Sequence, residues 1–460
     1  MHFLIGKFRD CSDYGGGSIS MENFIIKRGR ITSVLVLVLF QGLSIKAIEP
    51  EDIFAPSLGR VVIMPHAAIS SSYDDNVFLS SDEFISDEFK KIDDFITTFS
   101  PGIALRYGEN ILDANYIDFD YSPSFLQYTE NSQLNSDNHL LSFAINYQKD
   151  GKFTFNGSDR ISLDNTLLRG RERSLFTTSE LGRKKSRGLL VEKFSAQDQY
   201  RFEYVLSPKT SIYLASSLDI LDFDEEPHYY YSNVFGDLTP YSLFDVSNWK
   251  NTIGFGWQAF SKVKLYGSFF SGITSVETNL KRMGLRPDSD FYGGHISANG
   301  DFSDKLSGNI LLGYQDRSFD NLSNGFQGGS HGLPIFEVSL NYKYTEKGDF
   351  SLQYRRSGNV SIQNPEWATN ADFIALNLHQ KLGTTGKLRT FLISSFLIDA
   401  FQAEEKFKYQ YLSLDGGVTY NFNEWMKTSF TYGFDFFEAN TKGNIDYDVN
   451  RVMFSLSVGY

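Results

Sequence analysis

Cysteine is almost missing from this chain. The single one, Cys11, lies within the first twenty residues, so neither a disulfide framework nor a lipid-modified anchoring cysteine is expected beyond it. Proline is scarce, with 11 in 460 residues. Positive charge is in deficit: 43 Lys and Arg against 56 Asp and Glu leave a net charge of −13, which argues against a nucleic-acid partner. Long apolar runs are absent apart from 31–40, and the mean hydropathy is negative. Helical membrane spans therefore do not dominate. A membrane barrel is not excluded, because its strands are only half apolar.

The chemistry of an active site is equally thin. The seven histidines, at 2, 66, 139, 228, 295, 331 and 379, show no pairing at metal-ligand spacing, so no metal centre is expected. No GxSxG, HExxH or P-loop pattern occurs, and each of those motifs carries a specific mechanism. His139 and Ser142 are close in sequence but have no marked third group to orient them. Asp74, Asp75 and Asn76 resemble half of a calcium loop, without its Gly and distal Glu. They read as a strand end entering an acidic loop, or as a fixing point for the first strand. No catalytic residue, metal or cofactor is assigned, and the chain is not expected to be an enzyme.

Aromatic residues are abundant: 42 Phe and 26 Tyr, types that suit pleated sheet. Lys27, Arg28 and Arg30, the apolar stretch 31–40 and Ile45-Lys46-Ala47 have the anatomy of a secretory signal peptide. Met21 begins a more ordinary n-region, so 1–20 read as an upstream start. Residues 1–47 are expected to be removed, 48–60 to be a short periplasmic segment, and 61–460 to form the folded domain.

From about residue 60 the dominant period is two. In 336–344, Phe336, Val338, Leu340, Tyr342 and Tyr344 alternate with Glu337, Ser339, Asn341 and Lys343. In 429–436, Phe430, Tyr432, Phe434 and Phe436 alternate with Ser429, Thr431, Gly433 and Asp435. Segments 116–121, 200–206 and 350–355 repeat the pattern. Connections alternate between short turns, such as 149–152 and 207–210, and longer polar stretches, such as 167–195 and 222–244. Counting both kinds gives about eighteen strands, or sixteen if 61–72 and 92–106, weakened by Pro65 and Pro101, are not strands.

An even number of antiparallel strands with alternating connection lengths is the pattern of an all-β, up-and-down transmembrane barrel. The C-terminal stretch fits closure of such a barrel. Val452, Phe454, Leu456, Val458 and Tyr460 present one apolar face, and a closed barrel leaves no free edge. Phe454, Leu456, Val458 and Tyr460 also resemble the terminal signal read by the barrel-assembly machinery, with Tyr in place of the usual Phe. A soluble sandwich is the rival fold.

Tyr73-Asp74-Asp75-Asn76-Val77-Phe78, Ser100-Pro101-Gly102 and the Tyr/Phe/Asp-rich third strand resemble the opening of the β-barrel porin 2 family of bacterial outer-membrane proteins. The motif likeness covers about the first sixty residues of the mature chain. It implies an outer-membrane barrel, porin-like, with no catalytic residues to carry over.

Two charged regions are candidate determinants of what passes. Arg169, Arg171, Arg173, Arg183, Lys184, Lys185 and Arg187 crowd the third expected outer loop. Folded inward, they would select anions; folded outward, they would meet lipopolysaccharide phosphates or water. Glu337, Lys343, Arg355, Asp435 and Arg451 are candidate lumen-lining groups. The expected function is passive diffusion of small hydrophilic solutes across the outer membrane, with membrane lipid and lipopolysaccharide as surroundings. Export or assembly of an exopolysaccharide, and a structural or adhesive barrel, are the alternatives.

Overall fold

The computed structural model describes residues 55–79, 91–108, 115–167, 190–224, 229–231, 238–240, 245–277, 288–319, 330–360, 368–401, 408–439 and 446–459. These belong to one compact unit, Pro50–Tyr460. The expected signal-peptide segment, the cationic stretch 169–187 and Tyr460 lie outside the described residues.

Eighteen long strands form a closed antiparallel barrel. In chain order they are β1 Val61–Asp74, β2 Asp94–Tyr107, β3 Tyr116–Tyr128, β4 Ser136–Lys149, β5 Phe153–Leu167, β6 Leu190–Ser207, β7 Thr210–Asp224, β8 Asp245–Gln258, β9 Val263–Glu277, β10 Ser289–Asp301, β11 Leu306–Phe319, β12 Ser330–Thr345, β13 Gly348–Val360, β14 Ala368–Leu382, β15 Leu388–Phe401, β16 Lys408–Asn421, β17 Met426–Ala439 and β18 Tyr447–Val458. Each pairs with its chain neighbours, and β1 closes on β18 from Ala67↔Val458 to Asp74↔Arg451. Closure leaves no edge to be satisfied in lipid. Strands run from 12 residues in β18 to 18 in β6. At a rise of about 3.3 Å and a tilt near 40°, a fourteen-residue strand spans about 35 Å of height. That exceeds the roughly 30 Å hydrocarbon core of a bilayer.

Alternation assigns the two faces. Along β17, Phe430 and Tyr432 stand outward and are half exposed, whereas Asp435 on the other face is buried. Outward aromatics gather at both ends. Tyr147, Phe153 and Phe202 interlock toward the short turns, with Trp257 and Phe260 further round. Tyr73 packs on Phe95 toward the loops, where Trp249, Tyr292 and Tyr314 are also exposed. Two aromatic girdles bounding an apolar band are the outer surface of a transmembrane β-barrel. The band carries an acidic pair. Asp159 and Asp198 are register partners on the outward face, flanked across the ladder by Phe143 and Leu218 and along it by Ile161 and Ala196.

The proline-bearing segments 61–72 and 92–106 are full strands, and the register shows how. Pro65 falls before Ala67, where pairing with β18 starts. Pro101 lies where the β2–β3 ladder opens, between Phe99↔Phe125 and Ile103↔Tyr121, opposite the stretch holding Pro123. Ser100 and Ser124 bridge that gap through their hydroxyls at 2.8 Å. Prolines that cannot donate are thus confined to places without a complete ladder.

The short turns follow local chemistry. At 149–152, Asp150 and Gly151 both take positive φ, +54° and +62°, the two-residue hairpin geometry that Asp-Gly favours. The loop expectations need trimming. Of 167–195, Leu190 onward is already β6. Within 222–244, Asp222–Asp224 complete β7, and Tyr229–Tyr231 pairs with Leu238–Pro240 as a small separate ribbon.

Candidate functional site: the lumen and its mouth

The inward wall is polar and ends, at its loop side, in a built structure. The seam between first and last strands continues past the ladder through Asp74, Asp75 and Asn76. Asp75 N–H donates to the Asn450 carbonyl at 3.1 Å. Asn450 N–H and Nδ2 donate back to the two Asp75 carboxylate oxygens at 2.7 and 2.8 Å. Asn76 Nδ2 donates to the Asp448 carbonyl at 2.9 Å, and Lys91 pairs with the Asp448 carboxylate at 2.8 Å. Asp74 and Asn76 are almost fully buried. The motif is a strand-end clasp.

Beside the clasp, Val77, Phe78, Ile96 and Leu134 form a buried apolar cluster, with Ile92 and Tyr128 against it. Ile96 and Tyr128 are register partners on the inward face. Leu134 comes from a single 3-10 turn, Ser132–Leu134, in the β3–β4 connection. The Asp94 carboxylate accepts the backbone N–H groups of Thr129, Glu130 and Asn131 at 2.9–3.1 Å, and Asn131 Nδ2 at 2.9 Å. These bonds hold the connection as a shoulder on the inner side of the mouth.

On β9, β12, β17 and β18 the inward wall is closed toward the loops. Toward the loops Val276, Leu333 and Val449 are at 1% exposure or less, and Phe437 stacks on Tyr447 with ring centroids 5.3 Å apart. Toward the turns Asn341, Lys343, Lys381 and Arg389 are exposed. A recess of about 990 Å³ opens there, lined by β12 through β18.

Several inward charges are paired. Arg106 donates to Asp118 at 2.6 Å, His66 contacts Asp120 at 3.0 Å, and Glu203 holds both Lys264 and Arg201. The Arg201 guanidinium lies over Tyr213 at 3.8 Å. Arg317 is different. It is 4% exposed, donates to Thr274 and Ser289 hydroxyls at 2.8 and 2.7 Å, lies over Phe291 at 4.5 Å, and has no carboxylate partner among the described residues. Sequence reading missed it, although Arg317 alternates correctly with the outward Asp316 and Ser318.

Glu337, Lys343, Arg355, Asp435 and Arg451 all fall on the inward face. The structure does not gather them into one group. Asp435 and Arg451 bond to each other at 2.6 Å. Glu337 and Arg355 are register partners, with Arg355 over Phe373 at 5.8 Å. Lys343 lines the recess. Phe454, Leu456 and Val458 stand outward, beside Ser71, Ile69 and Ala67 of β1. His139 and Ser142 occupy opposite faces. His139 lies against the Tyr121 ring and contacts its hydroxyl at 2.8 Å, while Ser142 opposes the inward Asp120. Among the described residues no group of three or more His, Cys, Asp or Glu is placed to hold a metal.

Fold and wall together define the class: a closed antiparallel barrel with a lipid-facing apolar surface and a polar interior, the architecture of outer-membrane proteins. No protein-family model matches the chain, and none of the curated proteins matches it. Among solved structures, the siderophore receptor PirA from Acinetobacter baumannii aligns with 7% identity over 86% of this chain and 80% of its own, at a TM-score of 0.43. The FrpB iron transporter from Neisseria meningitidis aligns with 9% identity over 90% and 83%, at 0.42. The outer membrane protein opdK from Pseudomonas aeruginosa aligns with 10% identity over 86% and 98%, at 0.40. At such likeness the fold rests on the strand ladder itself.

Proposed function

We propose that this chain is a porin-like outer-membrane channel that lets small hydrophilic solutes diffuse across the membrane without bond chemistry. The observation that carries this reading is the solvent-exposed polar recess inside a closed barrel of eighteen strands, a size that encloses an aqueous lumen rather than a packed core. Selection would come from width at the shoulder of Leu134 and from the field of lumen charges. The cations 169–187 would add to that field if their loop folds inward. The short turns would face the periplasm, and delivery would use the barrel-assembly machinery. The likeness of the opening strands to the β-barrel porin 2 family agrees with this reading.

Export of a polysaccharide is less well supported. It calls for aromatic rings presented in series to a passing sugar chain; toward the loops the inward Phe270, Phe291, Phe437 and Tyr447 are at most 4% exposed, and Phe391 is a partly exposed ring lower in the wall.

The test is single-channel recording. The full chain, extracted in detergent from the membranes of a producing host, is placed in planar bilayers under a salt gradient. Stable conductance steps are expected. Loss of anion preference on neutralising Arg169, Arg171 and Arg173 would place that loop in the pore. A folded, heat-modifiable barrel with no conductance would overturn the diffusion reading and favour an adhesive or export role.

A further inference from the structure

Four inward cations without an ion-pair partner among the described residues meet in one place. Lys343 of β12, Lys381 of β14, Arg389 of β15 and Lys427 of β17 all line the recess at the turn end. Lys381 and Arg389 are also direct register partners on the same face. Like charges placed opposite each other across a ladder repel and weaken the pair, so this arrangement does not serve stability.

Three acids, Glu346, Asp349 and Asp415, line the same recess and offset the cations only in part, because Lys347 brings the Lys and Arg there to five. Asp415 stands across Gly433 from Arg451, a cation already bonded to Asp435. Asp349 is the register partner of His379. Glu346 lies in the β12–β13 turn. The remaining lining includes neutral polar groups, Thr345, Thr419, Asn421 and Ser429. Cations and small donors around an open cavity of about 990 Å³ suit an oxyanion bearing more than one charge, because charge-assisted bonds from several fixed directions are the strong ones.

We infer that this recess is a binding site for small polyanions, solutes carrying two or more carboxylate or phosphate groups. Its use as a selectivity element at the turn-end mouth rests on the diffusion reading. The binding itself does not.

The test separates the two. Citrate is titrated calorimetrically into the detergent-extracted full-length protein, and the same preparation is recorded in bilayers with citrate added to either side. Saturable binding is expected in wild type. The double variant Lys381→Gln, Arg389→Gln should bind at least about tenfold more weakly, since two charge-assisted contacts are removed. Lys262→Gln, which removes a lysine paired with Asp304 between neighbouring turns, should bind as wild type. In bilayers citrate should reduce conductance more strongly from the turn side than from the loop side. Citrate binding without any conductance would sink the diffusion reading and leave the site standing. Absence of saturable citrate binding in wild type, or equal affinity in the double variant and wild type, would overturn the site whatever the conductance.

Discussion

The Asp75 carboxylate receives both the backbone N–H and the side-chain amide of Asn450, at 2.7 and 2.8 Å, across 375 positions of sequence. The bonds extend the β1–β18 seam one residue beyond Asp74↔Arg451, the last rung of the ladder. Asp75→Ala leaves two donors unmet at the seam and should cost about 1–3 kcal/mol. Asn450→Ala keeps the backbone bond and should cost less. Urea unfolding in lipid vesicles would show both, with an unchanged slope and a lower midpoint. Equal midpoints for Asp75→Ala and wild type would mean that the ladder alone closes the barrel.

The shoulder should loosen locally rather than melt the barrel. Leu134 is fully buried among Val77, Phe78 and Ile96, and Leu→Ala in such a setting typically costs about 2–5 kcal/mol. The 129–135 connection makes no strand ladder of its own, so that loss should appear as local opening. Leu134→Ala and Asp94→Ala should both become susceptible to limited proteolysis between 129 and 135, while the heat-modified gel shift stays close to wild type. If the shoulder narrows the pore, single-channel conductance should also rise. Protection equal to wild type would mean that these contacts do not hold the connection.

Much of this architecture is readable from period alone. The alternation in 336–344 and 429–436 is complete because each strand has lipid on one side and water on the other, so every second residue is constrained. Asp150-Gly151 announces its turn because few other dipeptides accept two positive φ values. Pro65 and Pro101 mislead for the opposite reason. Their tolerance depends on where the neighbouring ladder stops, which is a tertiary fact. The lumen charges show the same limit. Arg451 and Asp435 lie sixteen positions apart, and only the β17–β18 register turns two candidate field-setting charges into one neutral pair. The excess near Lys381 and Arg389 likewise emerges only from the register of β14 and β15.

That neutral pair should be a stability element. The Asp435 side chain is 3% exposed and bonds to Arg451 at 2.6 Å. Removing one partner of a buried pair strands the other charge, at a typical cost of about 3–5 kcal/mol. Arg451→Gln alone should therefore destabilise strongly. Adding Asp435→Asn should recover much of the loss, because a neutral amide replaces the stranded carboxylate. A double-mutant cycle from urea midpoints gives the coupling. Strictly additive effects would show that groups other than Arg451, the Tyr411 hydroxyl among them, satisfy Asp435.

The outward pair Asp159 and Asp198 makes a prediction of the opposite sign. Both sit in the apolar band as register partners. The Tyr200 hydroxyl donates to one Asp159 oxygen at 2.6 Å, and the other Asp159 oxygen is buried without a partner. Lipid offers no water to shield them, and charges on the lipid face of a barrel cost most near the midplane. Opposed like charges add to that cost. Asp198→Asn removes one charge and should raise stability by about 1–2 kcal/mol at neutral pH. Asp159→Leu also removes the acceptor of Tyr200, so its gain should be smaller. Urea midpoints in vesicles decide the matter. A clear loss of stability in Asp198→Asn would show that the carboxylate meets a favourable partner in the membrane, and would redirect attention to this face of the barrel as a contact surface.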